Sequence, residues 1–241
     1  GGQTVDLNPQ VTQLGRGEPL EDTARVLSRY CDVLAVRTFA QQELVDYAHW
    51  ATVPVINALT DLEHPCQSLA DFLTMREAHG ELPGQTLAYI GDGNNVAHSL
   101  MLCGALLGVN VRIGCPQGFE PLSGVLEQAR SLAQHGASIE VIHDPRDAVR
   151  GAQAVYTDVW ASMGQEQEQA EREQAFAGFC VDEDLMKEAG SGAVVLHCLP
   201  AHRGEEISPG VMEGSDSRIF DQAENRLHAQ QALLAALMGG L

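Results

Sequence analysis

The chain has 241 residues, with 14 lysines and arginines against 33 aspartates and glutamates, and its formal net charge is −19 at pH 7. So acidic a chain repels nucleic acid and anionic membrane surfaces, because binding to phosphate groups needs closely spaced lysine or arginine side chains. Hydrophobic residues make up 44% of the chain, enough for a sizeable core, which excludes a disordered protein. Any anionic ligand must therefore be held by a few local cations.

Neither a membrane span nor a signal peptide is predicted. No apolar run reaches the roughly 18 residues that a membrane-spanning helix requires. The first ten residues lack the basic and then apolar pattern of a secretory signal. The six cysteines form neither a Cys-x-x-Cys pair nor a cysteine–histidine cluster at zinc spacing. We therefore expect a cytoplasmic protein with free thiols and no metal site.

Short runs rich in β-branched residues alternate along the chain with longer amphipathic segments. The predicted strands cover residues 32–36, 53–58, 86–90, 110–113, 138–142, 154–157 and 193–196. The predicted helices cover residues 21–30, 67–79, 95–107, 123–135 and 222–238. This alternation is typical of βαβ units, so the sequence predicts an α/β fold of parallel sheets flanked by helices.

A Gly/Pro-rich break at residues 80–85 is the best domain boundary, because it follows a predicted helix and precedes a predicted strand. We expect a first domain over residues 1–80, a second over 81–221, and a last helix over 222–241 that folds back on the first domain. The first domain shows only two predicted strands and so looks incomplete. The polar run 165–174 is predicted to be a solvated surface.

The sequence Gly-Asp-Gly-Asn-Asn at residues 91–95 follows a predicted strand and opens a predicted helix. It is not a dinucleotide-binding loop, because the third glycine would fall at position 96, where the chain has Val96. Two interpretations remain open. The asparagines cap the helix, or the amide of Asn94 or Asn95 binds a small polar ligand.

His64, Pro65, Cys66 and Gln67 stand between a predicted strand and the next helix. The backbone N–H groups at a helix start favour an anion, and an imidazole and an amide beside them can donate to a carbonyl or phosphate oxygen. The alternative is a surface histidine ahead of a proline-initiated helix. Arg37, at the end of strand 32–36, would add positive charge for an anionic ligand.

Two further polar groups follow predicted strands. Asp158 comes after strand 154–157, where a carboxylate can hold an ammonium group or simply cap a turn. Cys198 follows strand 193–196, and we interpret it as a polar contact rather than a covalent nucleophile, since no His/Asn partner set is evident. Because the carboxyl ends of parallel strands meet at one edge, we expect Arg37, Asn95, Asp158 and Cys198 to face one crevice.

Five motifs, in this order and spacing, resemble the ornithine carbamoyltransferases. They are HPCQ at 64–67, GDGNN at 91–95, DVWASMG at 158–164, HCLPA at 197–201 and DQAENR at 221–226. The Ser-Met-Gly and His-Cys-Leu-Pro segments separate the ornithine enzymes from the aspartate branch of the superfamily. The resemblance implies two doubly wound parallel-sheet domains of the carbamoyltransferase type, the first of them incomplete here.

The resemblance also implies transfer of a carbamoyl group from carbamoyl phosphate to the δ-amine of L-ornithine, giving L-citrulline and phosphate in arginine biosynthesis. Carbamoyl phosphate would be bound by Gln13, Arg37, His64, Pro65, Cys66, Gln67, Cys198, Leu199 and Arg226. Ornithine would be bound by Asn95, Asp158, Ser162 and Met163. The catalytic residues would be Arg37, His64 and Cys198, with Arg37 and His64 stabilising the oxyanion.

No metal or organic cofactor is implied. The implied partners are the two small-molecule substrates and further copies of the chain in a homotrimer, in which a loop carrying Gln13 enters a neighbouring site. The family also has a Ser-x-Arg-Thr segment that cradles the phosphate, whereas the Arg-Thr pair here, Arg37-Thr38, belongs to a different strand. We therefore expect little or no transferase activity from these 241 residues alone, and citrulline formation by them would contradict this.

Two alternatives remain beside the ornithine reaction. One is a carbamoyltransferase for another amine, such as putrescine or an acylated ornithine. Putrescine is disfavoured because it has no α-amino-acid end for Asp158, Ser162 and Met163 to bind. The other is a truncated, non-catalytic homologue that binds an amino acid or associates with full-length subunits.

Overall fold

The structure is a computed structural model that describes residues 2–8, 17–161 and 169–239. The chain divides into two compact units. We call Gly1–Asp61 with Leu233–Leu241 the small unit, and Leu62–Ala232 the large unit. None of the helices in the described ranges combines the length and the hydropathy needed to span a bilayer.

The described residues of the small unit include a parallel pair of strands, two complete helices and the end of the last helix of the chain. In chain order the strands and the complete helices are α1 (Leu20–Leu27), β1 (Leu34–Arg37), α2 (Gln41–Trp50) and β2 (Val55–Leu59). Leu34 pairs with Val55 at the start of the ladder, and the register shifts just before Arg37. The guanidinium of Arg25 lies 4.4 Å from the ring centre of Trp50, so a cation–π contact joins α1 to α2.

The large unit is an α/β layer structure. Its strands are β3 (Thr86–Ile90), β4 (Asn110–Gly114), β5 (Ile139–Ile142), β6 (Ala154–Thr157) and β7 (Val194–His197). Its longer helices are α3 (Pro65–His79), α4 (Asn95–Leu107), α5 (Ser123–Leu132) and α10 (Ile219–Leu237), the last belonging to this unit up to Ala232. Its shorter helices are α6 (Pro145–Val149), α7 (Gln169–Ala175), α8 (Glu183–Met186) and α9 (Pro209–Met212).

Within the described residues, the five strands of the large unit form one sheet in the order β5-β4-β3-β6-β7, and every pairing is parallel. The chain moves outward from β3 through β4 to β5 and then crosses back to β6 on the other side of β3. This reversal is a topological switch point, and open α/β sheets bind ligands at the carboxyl ends of the strands beside it. The expected parallel-sheet α/β fold is confirmed.

Both faces of this sheet are covered, which explains why its strands read as continuous apolar runs. Leu87 and Tyr89 of β3 enter one hydrophobic cluster with α3, α4 and α5. Ala88 and Ile90 point to the other cluster, which includes Val155 and the residues around α7 to α9. Side chains therefore alternate between two cores along a fully buried strand.

The turn between β3 and α4 depends on Gly93. A Cβ atom at this position would lie 2.2 Å from the backbone nitrogen of Pro121, so a larger residue would force the two segments apart. The backbone N–H of Gly93 donates to the carbonyl oxygen of Phe119 at 2.8 Å. The close approach fixes the position of the residues that follow β3.

One expectation needs correction, and another has an exception. β1 pairs with β2 in the small unit and is not a strand of the five-stranded sheet, so the shared-edge argument holds for Asn95, Asp158 and Cys198 but does not extend to Arg37. The polar run 165–174 is an exposed helical surface over most of its described part, as predicted, with one exception. Its described part begins α7, and Arg172 there is buried, because its guanidinium is paired with a buried carboxylate.

Candidate active site

Three polar side chains meet at the carboxyl ends of β3, β6 and β7. The thiol of Cys198 donates to Oδ1 of Asp158 at 2.9 Å. The Nδ2 group of Asn94 donates to Oδ2 of the same carboxylate at 2.9 Å. The backbone N–H of Val159 also donates to Oδ1, at 2.8 Å. These three donors fix the orientation of a buried carboxylate, which can face a cationic group of a ligand.

The two asparagines after β3 have different roles. Asn94 is the N-cap of α4, and its Oδ1 accepts the backbone N–H groups of Val96 and Ala97. Its side chain is therefore engaged both with the helix start and with Asp158. Asn95, the first residue of the helix, is half-buried and is the better candidate for a ligand contact.

The environment of Cys198 keeps its thiol protonated. Burial raises the pKa of this thiol well above its usual value, and the charge of Asp158 raises it further. A protonated thiol is a hydrogen-bond donor and a poor nucleophile. The hydrogen bond from Cys198 to Asp158 is therefore the kind of polar contact that the sequence predicted for this cysteine.

The chain after β7 is held by a buried histidine–glutamate pair. Nδ1 of His197 accepts the backbone N–H of Leu199 at 2.8 Å, so its proton must be on Nε2, which donates to Oε1 of Glu206 at 3.1 Å. The same carboxylate oxygen accepts the backbone N–H of His202 at 2.6 Å. Leu199 has a φ of +59° and precedes the cis bond to Pro200. These bonds define the conformation of the segment that carries Cys198.

The His-Pro-Cys-Gln segment begins α3. His64 is the N-cap residue, and its backbone N–H donates to the hydroxyl of Ser99 at 2.7 Å, with Pro65 at the first helical position. Burial raises the pKa of the Cys66 thiol, and the positive charge of Arg226 partly offsets this. The amide of Gln67 is buried and donates to Oδ1 of Asp71 at 2.8 Å.

Asp71 connects this segment to two others. Its Oδ1 also accepts the Nε2 group of Gln222 on α10 at 2.6 Å. Oε1 of Gln222 in turn accepts the backbone N–H of His197 at 2.8 Å. Burial raises the pKa of Asp71 to about 7, although hydrogen bonds from Gln222 and Gln67 and the charge of Arg226 act against it. The carboxyl group of Asp71 thus connects α3 to α10 directly, and Gln222 extends this connection to β7.

Arg226 lies beside an open cavity of about 840 Å³ in the large unit. Cys198, Leu199 and Pro200 line the same cavity. The Nε atom of Arg226 is buried and has no hydrogen-bond partner among the described residues. A guanidinium nitrogen in this state is suited to an incoming anion, since an unsatisfied buried donor is costly.

A buried ion pair lies next to the loop after β3. Nη1 of Arg172 donates to Oδ2 of Asp92 at 2.7 Å and to the carbonyl oxygen of Trp160 at 2.8 Å. The guanidinium also lies 5.2 Å from the ring centre of Phe119. The pair connects α7 to the Gly-Asp-Gly-Asn-Asn turn.

The structure brings most of the predicted site residues into the large unit. They are His64, Pro65, Cys66, Gln67, Asn95, Asp158, Cys198, Leu199 and Arg226. Arg37 is in the small unit, and Gln13, Ser162 and Met163 lie outside the described residues. Asp158, His197 and Cys198 have potential ligand atoms within 4.8 Å of one another. These atoms are already engaged in the hydrogen bonds given above.

Sequence reasoning missed Asp71, Gln222, Glu206 and the pair Asp92–Arg172. Asp71 is four residues after Gln67, and this spacing on a helix places two side chains on one face, so the contact had a local signal. Gln222 stands in the DQAENR motif, but neither it nor Arg172 had a local signal for its contact, because their partners are 151 and 80 residues away in the chain.

Comparison with known proteins identifies the family. The Asp/Orn binding domain of the aspartate/ornithine carbamoyltransferases matches residues 83–237, and the carbamoyl-P binding domain matches residues 1–77. The chain belongs to the aspartate/ornithine carbamoyltransferase family. Within it, the similarity is to the ornithine enzymes, as the sequence motifs predicted.

Two curated ornithine carbamoyltransferases illustrate the similarity. That of Parasynechococcus marenigrum (strain WH8102) is 93% identical over all 241 residues, which cover 76% of the relative. That of Prochlorococcus marinus (strain MIT 9313) is 80% identical over all 241 residues, which again cover 76% of the relative.

Solved structures of carbamoyltransferases have the same fold. The ornithine carbamoyltransferase from Pyrococcus furiosus superposes with a TM-score of 0.91 at 52% identity, over 96% of this chain and 74% of that one. The ornithine carbamoyltransferase from Gloeobacter violaceus superposes with a TM-score of 0.86 at 55% identity, over 92% of this chain and 75% of that one. An acetylornithine transcarbamylase complexed with acetylcitrulline superposes with a TM-score of 0.80 at 32% identity, over 90% of this chain and 72% of that one.

Proposed function

We propose that the reaction of this protein is transfer of the carbamoyl group of carbamoyl phosphate to the δ-amine of L-ornithine, giving L-citrulline and phosphate, with little or no activity from these 241 residues alone. The observation that carries the proposal is the cluster of Asn94, Asp158 and Cys198 at the carboxyl ends of β3, β6 and β7. Relatives 93% and 80% identical over the whole chain are named ornithine carbamoyltransferases.

On the ornithine side, the carboxylate of Asp158 binds the α-ammonium group. Asn95, Ser162 and Met163 complete the amino-acid end, and Cys198 and Leu199 lie along the path of the δ-amine. The protonated thiol of Cys198 helps to fix the Asp158 carboxylate, which it contacts at 2.9 Å. A diamine would leave this carboxylate without an α-ammonium partner, so the arrangement favours an α-amino acid.

On the carbamoyl phosphate side, the binding groups are Pro65, Cys66, His64, Gln67 and Arg226 of the large unit. Arg37 of the small unit is included because the resemblance to the ornithine carbamoyltransferases implies it. The chain carries a formal charge of −19, so cations near the bound dianion must outweigh the global field. Arg226, with its unpartnered buried Nε, is the cation best suited to this task in the large unit.

The reaction needs no covalent intermediate on the protein. The δ-ammonium group loses a proton to solvent, and the neutral amine attacks the carbamoyl carbon. Arg37 and His64 stabilise the oxyanion of the tetrahedral centre. The C–O bond to phosphate then breaks, and the phosphate leaving group takes the proton that the new amide nitrogen must lose. Most of the rate enhancement comes from orienting the two substrates.

We further propose a cytoplasmic homotrimer that serves arginine biosynthesis, with Gln13 contributing to a neighbouring site. Light scattering tests the assembly, because a trimer has three times the 25.9 kDa chain mass. A monomeric mass at micromolar concentration would contradict it.

The activity test compares three amines at saturating carbamoyl phosphate: L-ornithine, putrescine and N-acetyl-L-ornithine. It is run on this chain and on a version completed with the remaining quarter of the Parasynechococcus relative, of which the chain covers 76%. The proposal expects kcat/KM for ornithine to exceed both others by at least about 100-fold, since the site loses an ion pair with the other amines. A preference for either other amine, or no citrulline from the completed protein, would contradict the proposal.

A further inference from the structure

The side-chain amide of Gln67 is held in one orientation. The residue is 1% exposed, and its Nε2 group donates to Oδ1 of Asp71 at 2.8 Å. Its carbonyl oxygen, Oε1, is buried and has no hydrogen-bond partner among the described residues. The amide therefore presents an acceptor, and a buried acceptor without a donor is unfavourable until a ligand supplies one.

Asp71 determines this orientation. A carboxyl oxygen accepts hydrogen bonds, so it meets the NH2 side of an amide and not the carbonyl side. Turning the Gln67 amide over would place Oε1 against Oδ1 of Asp71, with two acceptors in contact. Oδ1 can accept whether the carboxyl group is ionised or protonated on its other oxygen, so the orientation does not depend on the charge.

Asp71 is itself held firmly. It is completely buried on α3, and its Oδ1 also accepts the amide of Gln222 at 2.6 Å. The other end of the Gln222 amide accepts the backbone N–H of His197 at 2.8 Å. The amide of Gln222 thus has a donor on one side and an acceptor on the other, so it cannot turn without losing both bonds.

We propose that Asp71 is a positioning residue that turns the carbonyl oxygen of Gln67 toward the bound acyl group, and that the site thereby selects carbamoyl phosphate over acetyl phosphate. This inference rests on the proposed function. The two phosphates have the same charge and nearly the same shape, but the carbamoyl group ends in NH2 where the acetyl group ends in CH3. Only the carbamoyl group can donate to Oε1 of Gln67, and a site built around a hydrogen bond rejects an analogue that lacks the donor.

The test measures discrimination in the completed protein: KM for carbamoyl phosphate against Ki for acetyl phosphate as a competitive inhibitor. We expect Asp71→Leu, which removes the acceptor, to reduce the ratio Ki/KM by at least about 10-fold. Asp71→Asn can still offer Oδ1 to both glutamines and should stay within about 3-fold of the original ratio. A role in folding alone would weaken both ligands equally and leave the ratio unchanged, which would overturn the proposal.

A double-mutant cycle with Gln67→Ala tests the route of the effect. In that background Asp71→Leu should not change the ratio further, because the amide that Asp71 orients is gone. Thr74→Ser, a buried change one turn along α3, is the matched control and should leave the ratio unaltered. A further loss of discrimination in the Gln67→Ala background would show that Asp71 acts by another route.

Nuclear magnetic resonance on the free chain separates this inference from the proposed function and does not require the leucine variant to fold. The Gln67 NH2 signal should exchange slowly with solvent in the unchanged protein and in Asp71→Asn. Rapid exchange of both its protons would overturn the positioning role, even if citrulline is formed. Absence of citrulline with a protected Gln67 amide would instead contradict the proposed function and leave the orientation supported.

Discussion

The thiol of Cys198 donates a 2.9 Å hydrogen bond to the carboxylate of Asp158. The two residues follow neighbouring strands, β7 and β6, which are paired in parallel. The contact makes the cysteine a fixed donor at the strand ends. Its chemical behaviour should therefore differ from that of an ordinary free thiol.

Alkylation rates test this difference. Burial and the charge of Asp158 raise the pKa of Cys198 well above its usual value, so little thiolate is present at pH 8. We expect iodoacetamide to label Cys198 at least about 10-fold more slowly than Cys31, which is half-buried as Cys198 is, so that residue exposure alone does not explain the difference. Peptide mass spectrometry of the folded protein gives both rates, and Cys31→Ser identifies the reference site. Equal labelling of the two cysteines would contradict the prediction.

Replacing Asn94 by aspartate should destabilise the protein at neutral pH. Aspartate caps a helix as well as asparagine does, but it would set a second carboxylate against Oδ2 of Asp158, where the amide now donates at 2.9 Å. We expect a loss of about 2–3 kcal/mol in the free energy of unfolding at pH 7, measured by urea titration.

Asn94→Ser is the matched control for this change. It keeps a capping oxygen for the N–H groups of Val96 and Ala97, introduces no charge, and should cost about 1 kcal/mol. An aspartate variant as stable as the serine variant at pH 7 would show that the contact with Asp158 does not matter.

Asp71 should make stability depend on pH. Its pKa is raised by burial from 3.8 to about 7, so the folded chain keeps a proton that the unfolded chain releases. The contribution of Asp71 to stability therefore falls as the pH rises from about 4 to about 7, and the total loss is up to about 4 kcal/mol. Asp71→Asn has no such proton to lose. Its free energy of unfolding should rise relative to the unchanged protein between pH 5 and pH 8.

Urea titrations at several pH values measure this difference. Taking the difference between the two proteins cancels the contribution of other groups that titrate in this range, including the histidines. A constant difference between pH 5 and pH 8 would mean that Asp71 is already ionised at pH 5.

Removing Arg172 should be costly because it leaves the carboxylate of Asp92 buried without its cationic partner. We expect Arg172→Met to lower the free energy of unfolding by about 3–5 kcal/mol. Adding Asp92→Asn should recover part of this loss, since the second change removes the uncompensated charge. A double variant less stable than Arg172→Met would contradict this account of the pair.

The sequence predicted the central elements well where each signal is local. The bounds of β3, α4 and β6 were predicted correctly. β3 and β6 are short apolar runs, and α4 has a clear capping residue at each end. Asn94 caps its start, and Gly108, with a φ of +75°, ends it in a left-handed conformation. Such boundaries depend only on neighbouring residues.

Other elements could not be read from local patterns. α2 was not predicted, and the buried position of Arg172 was missed because the surrounding residues are polar. Its burial depends on Asp92, 80 residues earlier, and no local pattern indicates such a partner. The candidate site was predictable as a set of motifs, whereas the bonds that orient its side chains were not.

The parallel arrangement of β3 to β7 has a practical consequence for binding experiments. All the strand ends that carry polar groups share one edge, so the loops that precede the strands lie at the opposite edge of the sheet. Ser191 is exposed and comes just before β7, and Gly136 is exposed and comes shortly before β5. A tether attached at Ser191→Cys would fix the large unit to a sensor surface by its far side and leave the carboxyl edge open to substrate solutions.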